Sequence, residues 1–245
     1  MCLTNICLMV PYVNELCAII RGKISDNACV VSAFLICFFS YTSIGYFVEL
    51  AIERCISISY LNTGHVDCIS SILWLLVPPM IGFTLSVAPL CGWGKYGRTH
   101  IDSLYCGFDF TAIRHGFSEK SYIIVVCAVM VILPVIITSL SFFRIIKHHR
   151  RNFQVNAEYH RQSAYDATKS FFAASLLYFV SWTPYAAFCF MSYYEISVSV
   201  EFEYAAAYFA KSATITSPVV YCFMERQFIE YLKSHRQRPI MLDEE

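Results

Sequence analysis

Six long apolar runs follow one another along the chain, separated by shorter polar segments. They lie at 2–20, 28–52, 69–91, 121–146, 170–195 and 203–222. The length of each run is close to or greater than about twenty residues, which is the length that an α-helix needs to cross the hydrocarbon core of a bilayer. Hydrophobic residues make up 57% of the chain and charged residues 15%, well below the roughly one quarter that is usual in soluble domains. The pattern predicts an all-α membrane protein with six transmembrane helices.

The basic residues outside these runs predict the orientation of the chain. Of the eighteen lysines and arginines, six lie on one side of the predicted membrane and eleven on the other. The larger group consists of Arg54 and the basic residues of 144–169 and 226–238. Because cytoplasmic loops carry the excess of Lys and Arg, the loop after Arg54, the 147–169 loop and the C-terminus are expected in the cytoplasm.

Other classes of function find little support in the composition. The formal net charge is zero, and the basic residues flank the apolar runs instead of alternating with aromatic residues, so nucleic-acid binding is not indicated. The basic run 147–151 is typical of a membrane flank and could also contact anionic lipid. The histidines are scattered among loops and tails and predict no metal site: His65, His100, His115, His148, His149, His160 and His235.

The last apolar run contains a lysine, Lys211, with about two turns of apolar helix on each side. An ammonium group at bilayer depth costs several kcal/mol, so a lysine there normally has a chemical role or a nearby counter-charge. Desolvation favours the free amine, which can attack an aldehyde and form a Schiff base. The alternative is a side chain that extends toward an interface, which the apolar flanks disfavour.

Two of the twelve cysteines differ in position from the others. Most cysteines lie inside the apolar runs, where a free Cys behaves as a small hydrophobic residue. Cys29 opens the second run on the outer side, and Cys106 lies in the loop between the third and fourth runs. The outer side is oxidising, so a Cys29–Cys106 disulfide is geometrically sensible, although sequence alone does not establish a pairing.

Several short motifs occur in a fixed order. Cys29 is followed 24 residues later by Glu53-Arg54-Cys55, and the outer loop contains Gly92-Trp93-Gly94 and then Cys106. The last two runs contain Ser181-Trp182-Thr183-Pro184-Tyr185, Lys211, Ser217-Pro218-Val219-Val220-Tyr221 and, beyond them, Glu225-Arg226-Gln227. This order resembles the rhodopsin-like G-protein-coupled receptors, and Lys211 makes the chain similar to an opsin.

The resemblance implies a rhodopsin-like seven-helix bundle of which this chain holds the second to seventh helices and a short amphipathic C-terminal helix. It covers a receptor domain at 1–233, followed by a short cytoplasmic tail at 234–245. The first helix of the family is expected to be lacking. Both a partial sequence and a naturally shortened protein are open explanations.

The same resemblance implies roles for individual residues. Lys211 would bind 11-cis-retinal through a Schiff base, with Trp182 and Tyr185 against the chromophore. Glu53 would hold Arg54 in the resting state, and Glu49 could compete for it. Contact with a heterotrimeric G protein, and with arrestin as a further partner, would involve Glu53, Arg54, Tyr221, Glu225, Arg226 and Gln227.

The usual counterion positions of the family carry no carboxylate here. Ser32 stands three residues after Cys29, and the outer-loop position falls on Thr99 or His100. A protonated Schiff base needs a negative partner to keep its proton at neutral pH. The candidates are Glu15, Asp102 or a bound anion; without one, the pigment would be neutral and absorb in the ultraviolet.

Three functions remain open at this point. The resemblance favours a light-sensitive receptor of the plasma membrane that acts in phototransduction and is not an enzyme. A retinal photoisomerase is the alternative, because Phe142 and Ser217 replace a tyrosine and an asparagine that serve as activation switches in the family. An inactive, truncated opsin fragment is the third.

Overall fold

The protein is a bundle of membrane helices. The computed structural model describes residues 2–21, 24–59, 68–98, 106–109, 116–151, 158–194, 196 and 198–224. These residues form seven α-helices: α1 (Cys2–Arg21), α2 (Asp26–Ser59), α3 (Cys68–Val87), α4 (Phe117–Cys127), α5 (Leu133–Arg151), α6 (Glu158–Tyr193) and α7 (Val200–Met224). A 3₁₀ turn spans Ala88–Cys91, a π turn spans Ala128–Ile132, and two short strands are β1 (Tyr96–Arg98) and β2 (Cys106–Phe108).

The helices follow the predicted apolar runs, and most extend beyond them. Because α4, the π turn and α5 are continuous, the seven helices make six rods. Within the described ranges, four stretches are long and apolar enough to cross a membrane: Asp26–Ile56, Trp74–Cys91, Phe117–His148 and Lys169–Tyr193. The predicted all-α fold is confirmed, whereas the prediction of six spans is confirmed only in part, since α1 and α7 fall outside this set.

The second helix, α2, lies at the centre of the bundle, in contact with α1, α3, α5 and both strands. Glycines allow α2 and α3 to approach closely. A Cβ atom on Gly45 would lie 2.7 Å from the Cβ of Pro78, and one on Gly82 would lie 2.6 Å from the hydroxyl oxygen of Thr42. On the other side of the bundle, α6 packs along α7.

Several of the helices contain prolines, each of which removes one N–H donor from the helical hydrogen bonds. Pro78 and Pro79 lie inside α3, and the helix continues through both of them. Pro134 is the second residue of α5, two positions after the end of the π turn Ala128–Ile132. A proline lacks an N–H and its ring crowds the carbonyl four residues earlier, and a wider π turn is one way to relieve that crowding inside a helix.

A disulfide-anchored hairpin covers one end of the bundle, which we call the outer end. β1 and β2 pair antiparallel, with Gly97 opposite Gly107. The predicted Cys29–Cys106 disulfide is present and attaches β2 to the start of α2. Beside it, the Arg98 guanidinium donates a hydrogen bond of 2.8 Å to the carbonyl of Ile24, and the Lys95 ammonium lies 3.2 Å from the Asp109 carboxylate.

Tyr96 attaches the same hairpin to the end of α3. Its hydroxyl donates a 3.0 Å hydrogen bond to the carbonyl of Ser86. Burial raises the pKa of the Tyr96 phenol far above its usual range, so this donor keeps its proton at any physiological pH. The hairpin is therefore held by a covalent bond, an ion pair and buried hydrogen bonds.

Candidate functional site

A cavity of about 290 Å³ lies in the outer half of the bundle. Its walls come from α2, the α4–α5 rod, α6 and α7, and Cys106, Gly107 and Phe108 of β2 line it on the outer side. Aliphatic and aromatic side chains make up most of the lining. The hairpin therefore covers an apolar compartment at this end of the bundle.

Lys211 lines this cavity from α7. Its Nζ lies 4.8 Å from the ring centroid of Tyr12 and 5.3 Å from that of Tyr208. Both distances are within the range of a cation–π interaction. On the same helix, the small and buried residues Ala207 and Ala210 also line the cavity, so space is left beside the lysine.

Aromatic residues of α6 form the wall that faces this lysine. Trp182 and Tyr185 both line the cavity, with their ring centroids 6.2 Å apart in an edge-to-face arrangement. Tyr178, one turn before Trp182, lies 6.1 Å from its ring and 4.4 Å from the ring of Phe47 on α2. These contacts limit the rotation of the Trp182 ring. The structure thus brings together the three residues that the sequence assigned to one ligand.

Three free thiols in the lining were missed by sequence reasoning. Cys37 of α2, Cys127 of α4 and Cys189 of α6 all line the cavity. The sequence showed them only as small hydrophobic residues within apolar runs. Their convergence depends on how three separate helices face one another.

A buried carboxyl group, Glu203, was also missed. Glu203 lies in the first turn of α7 with 1% of its surface exposed. It precedes Lys211 by eight residues, which corresponds to about 12 Å along the helix. It lies one helical turn before Ala207, a residue of the cavity wall. The signal in the sequence was an acidic residue in the same helix as the lysine, on its outer side.

Of the two carboxylates that the sequence suggested as counterions, one lies in a described helix and the other does not. Glu15 lies in α1, three residues after Tyr12, which lines the cavity. Asp102 lies outside the described residues, as do Thr99 and His100. Ser32 is buried near the outer end of α2. Within the described part of the chain, no group of three or more His, Cys, Asp or Glu side chains is arranged so that it could hold a metal ion.

The described residues among those expected to contact a G protein lie at the opposite end of the bundle. Glu53 is exposed and Arg54 is partly buried near the end of α2. The two ion pairs found among the described residues are both on the outer side, so the expected Glu53–Arg54 pair is not formed, nor is a pair of Arg54 with Glu49. Glu53 and Arg54 do not pair because consecutive residues of a helix point in different directions. Tyr221 lies in α7, and Glu225, Arg226 and Gln227 are outside the described residues.

Comparison with known proteins identifies the family. The family model described as 7 transmembrane receptor (rhodopsin family) matches residues 1–221. The chain is 23% identical over 205 residues to the blue-sensitive opsin of Anolis carolinensis, covering 82% of this chain and 58% of that protein. It is 27% identical over 211 residues to Opsin-VA of Rutilus rutilus, covering 82% of this chain and 53% of that protein.

The fold is also similar to a solved structure. The crystal structure of squid rhodopsin matches with a TM-score of 0.82 at 17% identity, covering 95% of this chain and 72% of that chain. The chain spans just over half the length of the two curated relatives. The resemblance to opsins drawn from the motifs is confirmed by these matches, and the chain belongs to the rhodopsin family of seven-transmembrane receptors.

Proposed function

We propose that this protein is a light-sensitive receptor that binds retinal through Lys211 and activates a heterotrimeric G protein. The observation that carries the proposal is the position of the lysine: its side chain lines an apolar cavity of about 290 Å³ that a disulfide-anchored hairpin covers. The names of the opsin relatives support the light-sensing role. Retinal, when bound, supplies light absorption and a double bond that isomerises.

The residues of the cavity fit a polyene aldehyde. Its volume is near the lower end of the range of ligand pockets, and its walls are apolar and aromatic. The Lys211 amine can form the Schiff-base linkage, and an apolar compartment protects that linkage from hydrolysis by excluding water. Trp182 and Tyr185 offer ring surfaces against which a flat chain of conjugated carbons can lie.

A negative group is needed to hold a proton on the lysine nitrogen of the linkage. Glu203 joins Glu15 and Asp102 as a candidate, because it is a buried carboxyl group on the same helix as Lys211 and next to the cavity wall. We rank Glu203 first among the three. At about 12 Å along the helix, it would act through an intervening water or a shift of the side chains.

Signalling would reach the cytoplasm through α6. This helix runs from Glu158 to Tyr193 and carries Pro184 next to the cavity, so its longer part extends from the proline toward the cytoplasmic side. Proline is a common site of helix bending, and a change at Trp182 would be transmitted at this point. Arg54 and Tyr221 lie toward the cytoplasmic ends of α2 and α7, where a G protein or arrestin would bind.

The remaining assignments follow from this function. We place the receptor domain at 1–233 and a cytoplasmic tail at 234–245. The protein is expected in the plasma membrane with its C-terminus in the cytoplasm. Glu225, Arg226 and Gln227 would continue the G-protein surface beyond α7.

The first experiment reconstitutes the purified protein with 11-cis-retinal and records the absorption spectrum before and after illumination. A light-sensitive band that disappears in Lys211→Ala is expected. Nucleotide exchange on a heterotrimeric G protein, measured in the dark and in the light, then tests coupling. A band without light-dependent exchange would contradict the receptor function, and no band would contradict retinal binding and point to an inactive fragment.

A retinal photoisomerase is the alternative function, and one observation favours it. Phe142 is buried and packs against Phe171 and Phe172, so a ring without a hydroxyl group occupies a position where the family uses a tyrosine to hold the active state. Chromatography of the extracted chromophore separates the two functions. Light-driven production of the cis isomer from added all-trans-retinal, over many turnovers and without nucleotide exchange, would support the isomerase.

A further inference from the structure

A second cavity, of about 170 Å³, lies in the cytoplasmic half of the bundle. It is a groove between α2, α3 and the α4–α5 rod, and we call it the α2–α3–α5 groove. Trp74, Val77, Ile81 and Leu133 line it and are also exposed on the surface that faces the bilayer. The groove therefore opens sideways into the membrane, whereas the Lys211 cavity lies under the outer hairpin.

One acidic side chain, Glu49, lies in this apolar lining. Its Oε2 atom is buried and accepts no hydrogen bond. Neither ion pair found within the described ranges involves it. Glu53, one turn further along α2, adds a second negative charge on the same side of the helix. A carboxylate at this depth is costly unless a donor or a cation reaches it.

The backbone at the same place also offers an acceptor. Pro78 and Pro79 lie four and five residues after Trp74, and neither has an N–H group, so the Trp74 carbonyl has no α-type or π-type partner in α3. The Leu75 carbonyl, which Pro79 leaves without its α-type partner, instead accepts a 3.3 Å hydrogen bond from the Tyr46 hydroxyl. Trp74 and Pro78 both line the groove, so this interruption of the helical hydrogen bonds lies at its wall.

We propose that the α2–α3–α5 groove is a binding site for a lipophilic amine that enters from the bilayer. The ammonium group would lie against the Glu49 carboxylate, with the Trp74 carbonyl as a second acceptor. The apolar body would lie along the side chains of Val77, Ile81 and Leu133. Charge complementarity selects the amine over a neutral lipid, because the groove supplies a negative charge and acceptors that an ammonium ion satisfies together.

The site shares a wall with the Lys211 cavity. Tyr41, Ile44 and Met130 line both cavities, and Met130 belongs to the π turn. An occupant of the groove would therefore touch side chains that also shape the other cavity. The binding proposal itself does not depend on retinal.

The test uses photolabelling in nanodiscs of zwitterionic lipid with a diazirine-bearing dodecylamine and the matching dodecanol. After illumination, digestion and mass spectrometry, the amine is expected to label the segments 41–52, 74–81 and 129–137 about tenfold or more above the alcohol. Glu49→Gln is expected to reduce amine labelling to the level of the alcohol. Glu201→Gln, which removes an exposed carboxylate from α7, serves as the matched control and is expected to leave labelling unchanged.

A second variant keeps the test decisive if Glu49→Gln does not fold. Ile81→Trp fills the groove and retains the carboxylate, and it is expected to reduce amine labelling as well, with an unchanged melting temperature as the check on folding. Equal labelling by amine and alcohol would overturn the proposal and indicate an ordinary lipid contact. Amine labelling that persists in a folded Glu49→Gln or Ile81→Trp variant would also overturn it.

Discussion

The two cavities differ in charge and in how they are closed. The Lys211 cavity contains an amine side chain and is covered by a hairpin that a disulfide attaches to α2. The α2–α3–α5 groove contains a carboxyl side chain, Glu49, and opens toward the bilayer. A closed compartment protects a covalent linkage from water, whereas an open groove suits reversible binding of a molecule that is dissolved in the membrane. The two sites therefore differ in the hairpin that covers one of them and in the ionisable side chain that each contains.

The largest difference in absorption is expected when the ionisable residue of each cavity is substituted in turn. Lys211→Ala should abolish the retinal-dependent absorption band completely, and Lys211→Arg should do the same, because a guanidinium group keeps the charge but does not form the linkage. Glu49→Gln should retain the band. The retinal-dependent band is compared in absorption spectra of the three variants, recorded at matched protein concentration. A band in Lys211→Ala would place the chromophore linkage elsewhere.

The electrostatics of the Lys211 cavity give the next largest effect. Glu203→Gln is expected to move the absorption band toward the ultraviolet at neutral pH, because an amide cannot supply the negative charge that holds the proton on the linkage. Spectra of Glu15→Gln and Asp102→Asn provide the comparison, and the largest displacement identifies the counterion. If all three variants absorb at the wild-type wavelength, the negative partner is a bound anion.

The closure of the outer cavity is tested by removing its covalent anchor. Cys106→Ser should lower the free energy of unfolding by about 2–5 kcal/mol, because the lost disulfide links segments 77 residues apart. Thermal unfolding in detergent, followed by tryptophan fluorescence, measures the change. Cys91→Ser, at an exposed free cysteine, is the control and should unfold like the wild type. Equal stability of both variants would mean that the hairpin contributes nothing to closure.

The smallest expected effect concerns the groove. Gly45→Ala should cost about 1–3 kcal/mol, because its Cβ would lie 2.7 Å from the Cβ of Pro78 and force α2 and α3 apart. Gly97→Ala is the matched control, since its nearest neighbour would be at an ordinary 3.5 Å. The same unfolding assay compares the two variants. An unchanged stability of Gly45→Ala would show that α3 can move without cost, and the groove would then have no fixed shape.

Much of the fold followed from local patterns. The apolar runs predicted the helices because hydropathy over about twenty residues reports directly on the bilayer. The extent of α2 to Ser59 and the start of α6 at Glu158 were not visible in the same way, since helices continue into water with polar residues. The disulfide was suggested because Cys29 and Cys106 were the cysteines at the oxidising side.

The sequence by itself determined the class of protein, the family and the lysine with its aromatic partners, since these depend on composition and on motifs within single helices. Only the tertiary structure decided that three thiols converge on the cavity, that Glu203 is buried beside its wall, and that Met130 separates the cavity from the groove. It also showed that Glu53 and Arg54 do not pair. The physical reason is that hydropathy and helical periodicity are local properties, whereas the faces that two helices turn toward each other are set by contacts between residues far apart in the chain.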